Sequence, residues 1–282
     1  MGLSTQSKLR VARALYRGLK LLGFDDEVVV RRARVRFHID LREGIELSLF
    51  LFGTFQRHVT PGRLFKIPRD AVIFDIGANV GSVCLPLAAS LPASVVYAFE
   101  PTEYAFERLQ RNLTLNPELQ ARVHPVQAFV SAVGDDNSEL VAYSSWCLDG
   151  QASRPSGASN TPHAIHGGTR KPAARKQISL DDFISEQGID RLDFVKIDTD
   201  GHELDVLRGA TRALRSFRPI VVFELTNYLL RERGLQFQHY EEALLPLGYR
   251  LVDSRKGREI THNSVDRLVP HHGSVDILAL PN

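Results

Sequence analysis

The sequence predicts an α/β fold in which a mostly parallel sheet carries helices on both faces and is preceded by an N-terminal helix and strand extension. After Pro68, short apolar runs alternate with longer amphipathic segments, the pattern of βαβ units around a buried sheet. The first of those runs ends in a glycine turn, Gly77-Ala78-Asn79-Val80-Gly81. Across 282 residues, 43% apolar and 24% charged side chains supply a sizeable core and a solvated surface.

Near the N-terminus, Ala12, Leu15, Leu19 and Leu22 recur at helical spacing while Arg10, Arg13, Arg17 and Lys20 fall on the other side. This predicts an amphipathic helix over 7–22 whose basic face meets solvent. Val28 to Val30, then Val35, Phe37, Ile39 and Leu41 in alternation, predict one or two half-buried strands. A helix over 43–58 follows, and residues 1–66 form the extension to a main domain over 67–282. Within that domain, parallel strands are placed at 71–76, 94–99, 123–129, 192–197 and 220–225. Helices fall at 82–91, 102–115, 202–216 and 238–247, with closing strands at 249–253 and 275–280. The stretch 150–177, rich in Gly, Ser, Pro, Ala and basic residues, has almost nothing to bury. It reads as a structureless insert, either disordered or a lid over a binding site.

Composition excludes several classes. With 35 basic and 33 acidic side chains the formal charge is +2, so nothing calls for a nucleic-acid partner. Two cysteines, Cys84 and Cys147, are too few for a disulfide framework or a zinc cluster and fit a reducing, cytoplasmic compartment. The longest uncharged stretch, 76–99, is broken by Gly, Asn, Pro and Ser, which argues against a transmembrane segment.

The chemistry starts at the glycine turn. Gly77 and Gly81 let the backbone turn sharply and approach a ligand, and Asn79 is one of the few other residues that tolerates a left-handed conformation. Glu100 ends the second strand, where a carboxylate accepts hydrogen bonds from the vicinal hydroxyls of a ribose. NAD enzymes share both features. Asp75 tilts the choice, because a carboxylate at the mouth of the first strand repels a pyrophosphate and favours the cationic sulfonium of S-adenosylmethionine.

The segments "FDIGANVG", "AFEPTEYAFERLQRNLTLN", "ISLDDFI", "DFVKIDTDGHELDVLRGA" and "RPIVVFEL" resemble the successive motifs of FkbM-type methyltransferases, a likeness that spans roughly residues 35–280. The resemblance implies a Rossmann-like, seven-stranded sheet closed by an antiparallel strand. It also implies S-adenosylmethionine as cofactor and a hydroxyl of a small molecule, sugar or glycan as methyl acceptor. Cofactor contacts then fall on Asp75, Gly77, Asn79, Gly81 and Glu100, with Ser131 or its neighbours near the adenine. The family usually reads Lys-Ile-Asp-Val-Glu-Gly where this chain has Thr199 and Asp200, and Pro86 sits early in the first helix, where it distorts anything beyond the first turn. An NAD-dependent oxidoreductase and a non-catalytic nucleoside-binding relative are the competing readings.

Catalytic candidates cluster after the fourth parallel strand, at the carboxyl edge where open α/β sheets place their sites. Alternation puts Lys196 and Asp198 on one side, so the lysine holds the aspartate ionised. His202, at a helix start, is kept neutral by the dipole and ready to accept the hydroxyl proton. Asp200 with Glu203 reads as a capping box for that helix. Glu224, ending the fifth strand, faces Asp198 across the cleft; two hard carboxylates suit magnesium, but at this spacing they do not specify a metal.

Overall fold

The computed structural model describes residues 5–132, 142–143, 148–149, 158–162, 168–170, 176–269 and 273–282. Helix α1 (Thr5–Leu21) is followed by strands β1 (Glu27–Arg32) and β2 (Val35–Asp40), then helix α2 (Gly44–Phe52). The central sheet comprises β3 (Val72–Ile76), β4 (Val95–Phe99), β5 (Val123–Val126), β6 (Phe194–Ile197), β7 (Ile220–Thr226), β8 (Tyr249–Asp253) and β9 (Ser274–Pro281). Their order is β8-β9-β7-β6-β3-β4-β5; only β9 runs antiparallel to its neighbours. This is the expected Rossmann-like sheet. Chain direction across it reverses between β3 and β6, and the crevice beyond their carboxyl ends is where such sheets bind ligands.

Each face of the sheet closes its own core. Phe74, Ile76, Val195, Ile197, Val221 and Phe223 pack beneath α5 (Leu180–Gln187), α6 (Glu203–Arg208), α7 (Thr211–Phe217) and α9 (Phe237–Leu244). On the other face, Ile73, Val96, Ala98, Phe194 and Val222 pack with α3 (Cys84–Ser90), α4 (Glu103–Thr114) and the N-terminal extension. Val35, Phe37, Ile39 and Leu41 are essentially inaccessible. The hairpin and α2 thus share one core with the sheet, and each large apolar side chain so buried contributes about 2 kcal/mol.

The β1–β2 hairpin turns through Ala33 and Arg34, both at positive φ (+46° and +70°), as a two-residue type I′ turn requires. The outward-facing amides of β2 are taken up by side chains. Asn116 Oδ1 accepts from the Arg36 N–H, Asn112 Oδ1 from the His38 N–H, and Glu46 Oε2 from the Asp40 N–H, each at 2.8 Å. Asn112 also donates to the Val80 carbonyl at 2.9 Å, joining the hairpin to the glycine turn through α4.

Glu46 is buried against Arg108 at 2.6 Å. Burial pushes its carboxyl up to about 7 from the ordinary 4.5, against the pull of Arg108. The folded protein therefore keeps a proton that the unfolded chain releases, and this group's contribution to stability declines as pH rises from about 4.5 to about 7. Glu46→Gln is expected to flatten the fall in Tm over that window. An unchanged slope in differential scanning calorimetry would refute the assignment.

Several expected elements differ. The helix expected over 43–58 stops at Phe52, because Gly53 takes a left-handed φ of +72°; a single 3-10 turn follows at Arg57–Val59. The helix expected over 202–216 is two, α6 and α7, broken where Gly209 meets the Ser131 carbonyl: a Cβ there would lie 2.5 Å from that oxygen. Pro86 causes no distortion, since α3 starts only at Cys84 and the proline falls in the first turn, where its absent N–H is not missed. The insert is not structureless throughout: Ala158–Pro162 and Gly168–Arg170 pair as strands, the latter also with Ala142–Tyr143. The rest of the proposed lid, 150–157, 163–167 and 171–175, lies outside the described residues. Between β7 and α9, the sequence reading also passed over α8 (Asn227–Glu232).

Candidate functional site

The glycine turn lies flat on the ends of two strands. Gly77, Asn79 and Gly81 have φ of +79°, +50° and +85°. The N–H groups of Gly77 and Ala78 both donate to the Phe99 carbonyl at 2.9 Å. On the opposite side, a Cβ at position 77 would sit 1.9 Å from the Asp198 carbonyl oxygen, so no larger residue fits. Glu100 then pins the turn: Oε2 accepts from the Asn79 N–H at 3.0 Å, and Oε1 accepts from the Thr102 N–H and hydroxyl at 2.9 and 2.5 Å. Burial raises the pKa of this carboxyl despite those donors.

Across the crevice, the loop after β6 carries the acidic residues. Asp200 adopts a left-handed φ of +52° and Gly201 one of +104°. Glu203 is buried and holds the loop, accepting from the Thr199 N–H (2.9 Å), the Thr199 hydroxyl (3.1 Å) and the Gly201 N–H (3.1 Å). The expected capping box is therefore not formed, for His202 precedes α6 and makes no side-chain cap. Burial, with Asp198 and Glu203 close by, drives the Asp200 carboxyl well above the carboxylate range.

Lys196 braces this arrangement. Its Nζ donates to the Gly77 carbonyl at 3.2 Å and lies 3.3 Å from Asp75 and 3.4 Å from Asp198. Burial opposes the ammonium, yet the two carboxylates keep its pKa above the ordinary lysine value. It stays charged and cannot serve as a base. Asp75 is buried beneath the turn, not at the mouth of the strand: its side chain shares the interior face with Lys196, its neighbour in the β3–β6 register. Asp75, expected to meet the cofactor, is not among the residues that line the cavity and lies against the Lys196 ammonium instead.

Gly77, Asn79, Glu100, Lys196, Asp198 and Glu224 line one cavity of about 650 Å³, a size usual for ligand sites. Ala128, Phe129 and Val130 line it beyond Glu100. Four expected residues do not, Asp75 beneath the turn and three others. Gly81 sits under Leu85 and Leu109, where it lets α3 and α4 close in. Ser131 is buried behind its neighbours with Gln177 as hydrogen-bond partner. His202 packs edge-on against Phe129 with Nδ1 3.5 Å from Asp205, off the cavity wall.

Sequence reasoning missed Gln56, His58 and Asp276, which line the same cavity. Gln56 Nε2 donates to Asp198 Oδ2 at 2.9 Å, and His58 Nε2 is hydrogen-bonded to Asp276 Oδ2. Asp276 faces Glu224 across the β7–β9 register. Burial, then Asp198 and Asp276, raise the Glu224 carboxyl well above the usual range. The one sequence signal was the acidic Asp276 inside an otherwise apolar strand; Gln56 and His58 lay within a segment read as helix.

Asp198, Asp200 and Glu224 each bring a carboxylate oxygen within 4.8 Å of the others. Oxygen ligands of this kind suit magnesium, and shared protons relieve the same repulsion without it. The donor set also fits S-adenosylmethionine. Glu100 would be the partner of a ribose diol and the Asp198 carboxylate that of a sulfonium or ammonium, whereas a pyrophosphate would meet repulsion there.

Residues 75–251 match the Methyltransferase FkbM domain family. Among curated proteins, the chain is 25% identical over 218 residues to methyltransferase sdnD of Sordaria araneosa, covering 68% of this chain and 83% of that protein. It is 32% identical over 161 residues to the hexuronic acid methyltransferase AglP of Haloferax volcanii, 56% of this chain and 58% of the other. It is 26% identical over 157 residues to the 2-O-methyltransferase NoeI of Sinorhizobium fredii, 53% and 61%. The matched region thus spans less than two thirds of AglP and NoeI. A solved methyltransferase FkbM from Methylobacillus flagellatus KT aligns with a TM-score of 0.47 at 16% identity, over 81% of this chain and 49% of that one. The chain belongs to the FkbM family of S-adenosylmethionine-dependent methyltransferases.

Proposed function

We propose that this methyltransferase acts on a hydroxyl of a small molecule, sugar or glycan, with His58 as the base. The observation that carries this reading is the His58–Asp276 pair, which opens onto the same cavity as Glu100 and Asp198. Bound S-adenosylmethionine supplies an electrophilic methyl group; the protein must present an oxygen in line with it and remove its proton. With Nε2–H given to Asp276, His58 keeps a lone pair on Nδ1 for that proton. Glu224, held neutral by its neighbours, donates a hydrogen bond to the acceptor, and Asp198, fixed by Gln56 and Lys196, accepts one. Orientation supplies much of the remaining acceleration. The names of AglP and NoeI, a hexuronic acid methyltransferase and a 2-O-methyltransferase, support a sugar hydroxyl as acceptor.

Among the described residues no helix is long and apolar enough to cross a membrane. The cytoplasmic location rests on the free, buried Cys84, which fits a reducing compartment.

The test is calorimetric titration with S-adenosylhomocysteine and with NAD, then mass spectrometry of hydroxylated sugars incubated with labelled methyl donor. Affinity for S-adenosylhomocysteine alone, and label on oxygen, are the expected results; affinity for NAD alone, or label on nitrogen or carbon, would overturn the reading. Glu100→Ala is expected to weaken S-adenosylhomocysteine binding by roughly 10- to 100-fold, the loss of a charge-assisted hydrogen bond. Unchanged affinity would remove Glu100 from the ribose site.

A further inference from the structure

The cavity has two unlike ends. Its inner end is polar and acidic, around Asp198, Glu224 and Asp276; its outer end is a groove between α1 and α2. Along that groove α1 contributes Val11 and Leu15, one turn apart, and α2 contributes Ile45 and Phe52, two turns apart. Leu9 and Ala12, which also line the cavity, pack with Leu19 against the core, whereas Val11 and Leu15 are not among the side chains packed there. They are 51% and 41% exposed, and Phe52 is 70% exposed. Apolar side chains gathered at the rim of a cavity, and left in water, mark a binding surface. The groove is continuous with the acceptor site: α2 leads through Phe55, which also lines it, into Gln56 and His58.

We infer that the methyl acceptor is an amphiphile, whose hydroxylated head reaches His58 and whose alkyl or acyl chain lies between α1 and α2. This rests on the acceptor reading above and adds the class of substrate. A wholly polar sugar would leave Val11, Leu15 and Phe52 in water. A chain emerging from the head covers them and removes its own methylenes from water, each worth about a four-fold gain in affinity when fully buried.

The experiment uses the full chain saturated with S-adenosylhomocysteine, whose own binding is measured first, so that failure at the cofactor stage is recognised separately. Hexyl, octyl and decyl β-D-glucopyranosides are then titrated below their micelle concentrations by calorimetry. Affinity is expected to rise with chain length, by about ten-fold or more from hexyl to decyl. Leu15→Asp and Phe52→Asp, at exposed positions, are expected to abolish that rise while leaving S-adenosylhomocysteine affinity unchanged. Equal affinity for the three glycosides, no binding of the decyl compound, or a rise that survives both substitutions would overturn the inference. So would a flat series in a protein that sedimentation shows to be a dimer and Leu15→Asp converts to monomers, which would give the groove to a second copy.

Discussion

Gly77→Ala is expected to cost about 4 kcal/mol or more of folding stability, beyond the ordinary range for one substitution, and to lower Tm by on the order of 10 °C. Two effects combine. At φ +79° any Cβ is strained, and here the new carbon would also lie 1.9 Å from the Asp198 carbonyl oxygen, a backbone atom that cannot swing aside. To relieve the contact, the turn must lift off the end of β6. That breaks the Lys196 donation to the Gly77 carbonyl and displaces the Asn79 N–H from Glu100, so S-adenosylhomocysteine affinity should fall with stability. Gly188→Ala is the control. It shares a positive φ, +63°, but has no neighbour within 4 Å of an added Cβ, so it should lose only the roughly 1–2 kcal/mol of a left-handed alanine. Equal losses in the two variants, read by thermal unfolding, would sink the contact argument.

His58→Gln is expected to lower kcat by about 10²- to 10⁴-fold, the usual worth of a positioned base, with S-adenosylhomocysteine affinity unchanged. Asp276→Asn should lower kcat as well, because the asparagine cannot hold the imidazole in the same tautomer as strongly. His202→Gln distinguishes this from the sequence expectation: a histidine packed on Phe129 and bound to Asp205 should be replaceable with little loss of turnover. Single-turnover methyl transfer with labelled donor gives all three rates. A silent His58→Gln beside an inactive His202→Gln would reverse the assignment.

The sheet was legible because its strands are apolar runs of parallel-strand length, and the strand-end positions of Glu100, Asp198 and Glu224 followed from that register. For Asp75 and His202 the expectation differed over which way the side chain faces. Sequence spacing places a residue along a strand but does not say which side of the last pleat faces the cavity. Asp75 sits one residue short of the end and points into the interior with Lys196. His202 sits at a helix start, as expected, yet the left-handed Asp200 and Gly201 swing it away behind Phe129. His58 was invisible for a different reason. It belongs to an irregular turn beyond Gly53, and its partner Asp276 is 218 residues away; pairing at that separation exists only once β7 and β9 are joined.

The side-chain amides of Asn112 and Asn116, and the carboxyl group of Glu46, occupy the row of donors that the β1–β2 ribbon would otherwise present to solvent. A strand with such a row free is a template onto which another polypeptide can add itself. Here the template is already filled from within, so concentrating this protein should not recruit neighbouring molecules into extended ribbons along that margin.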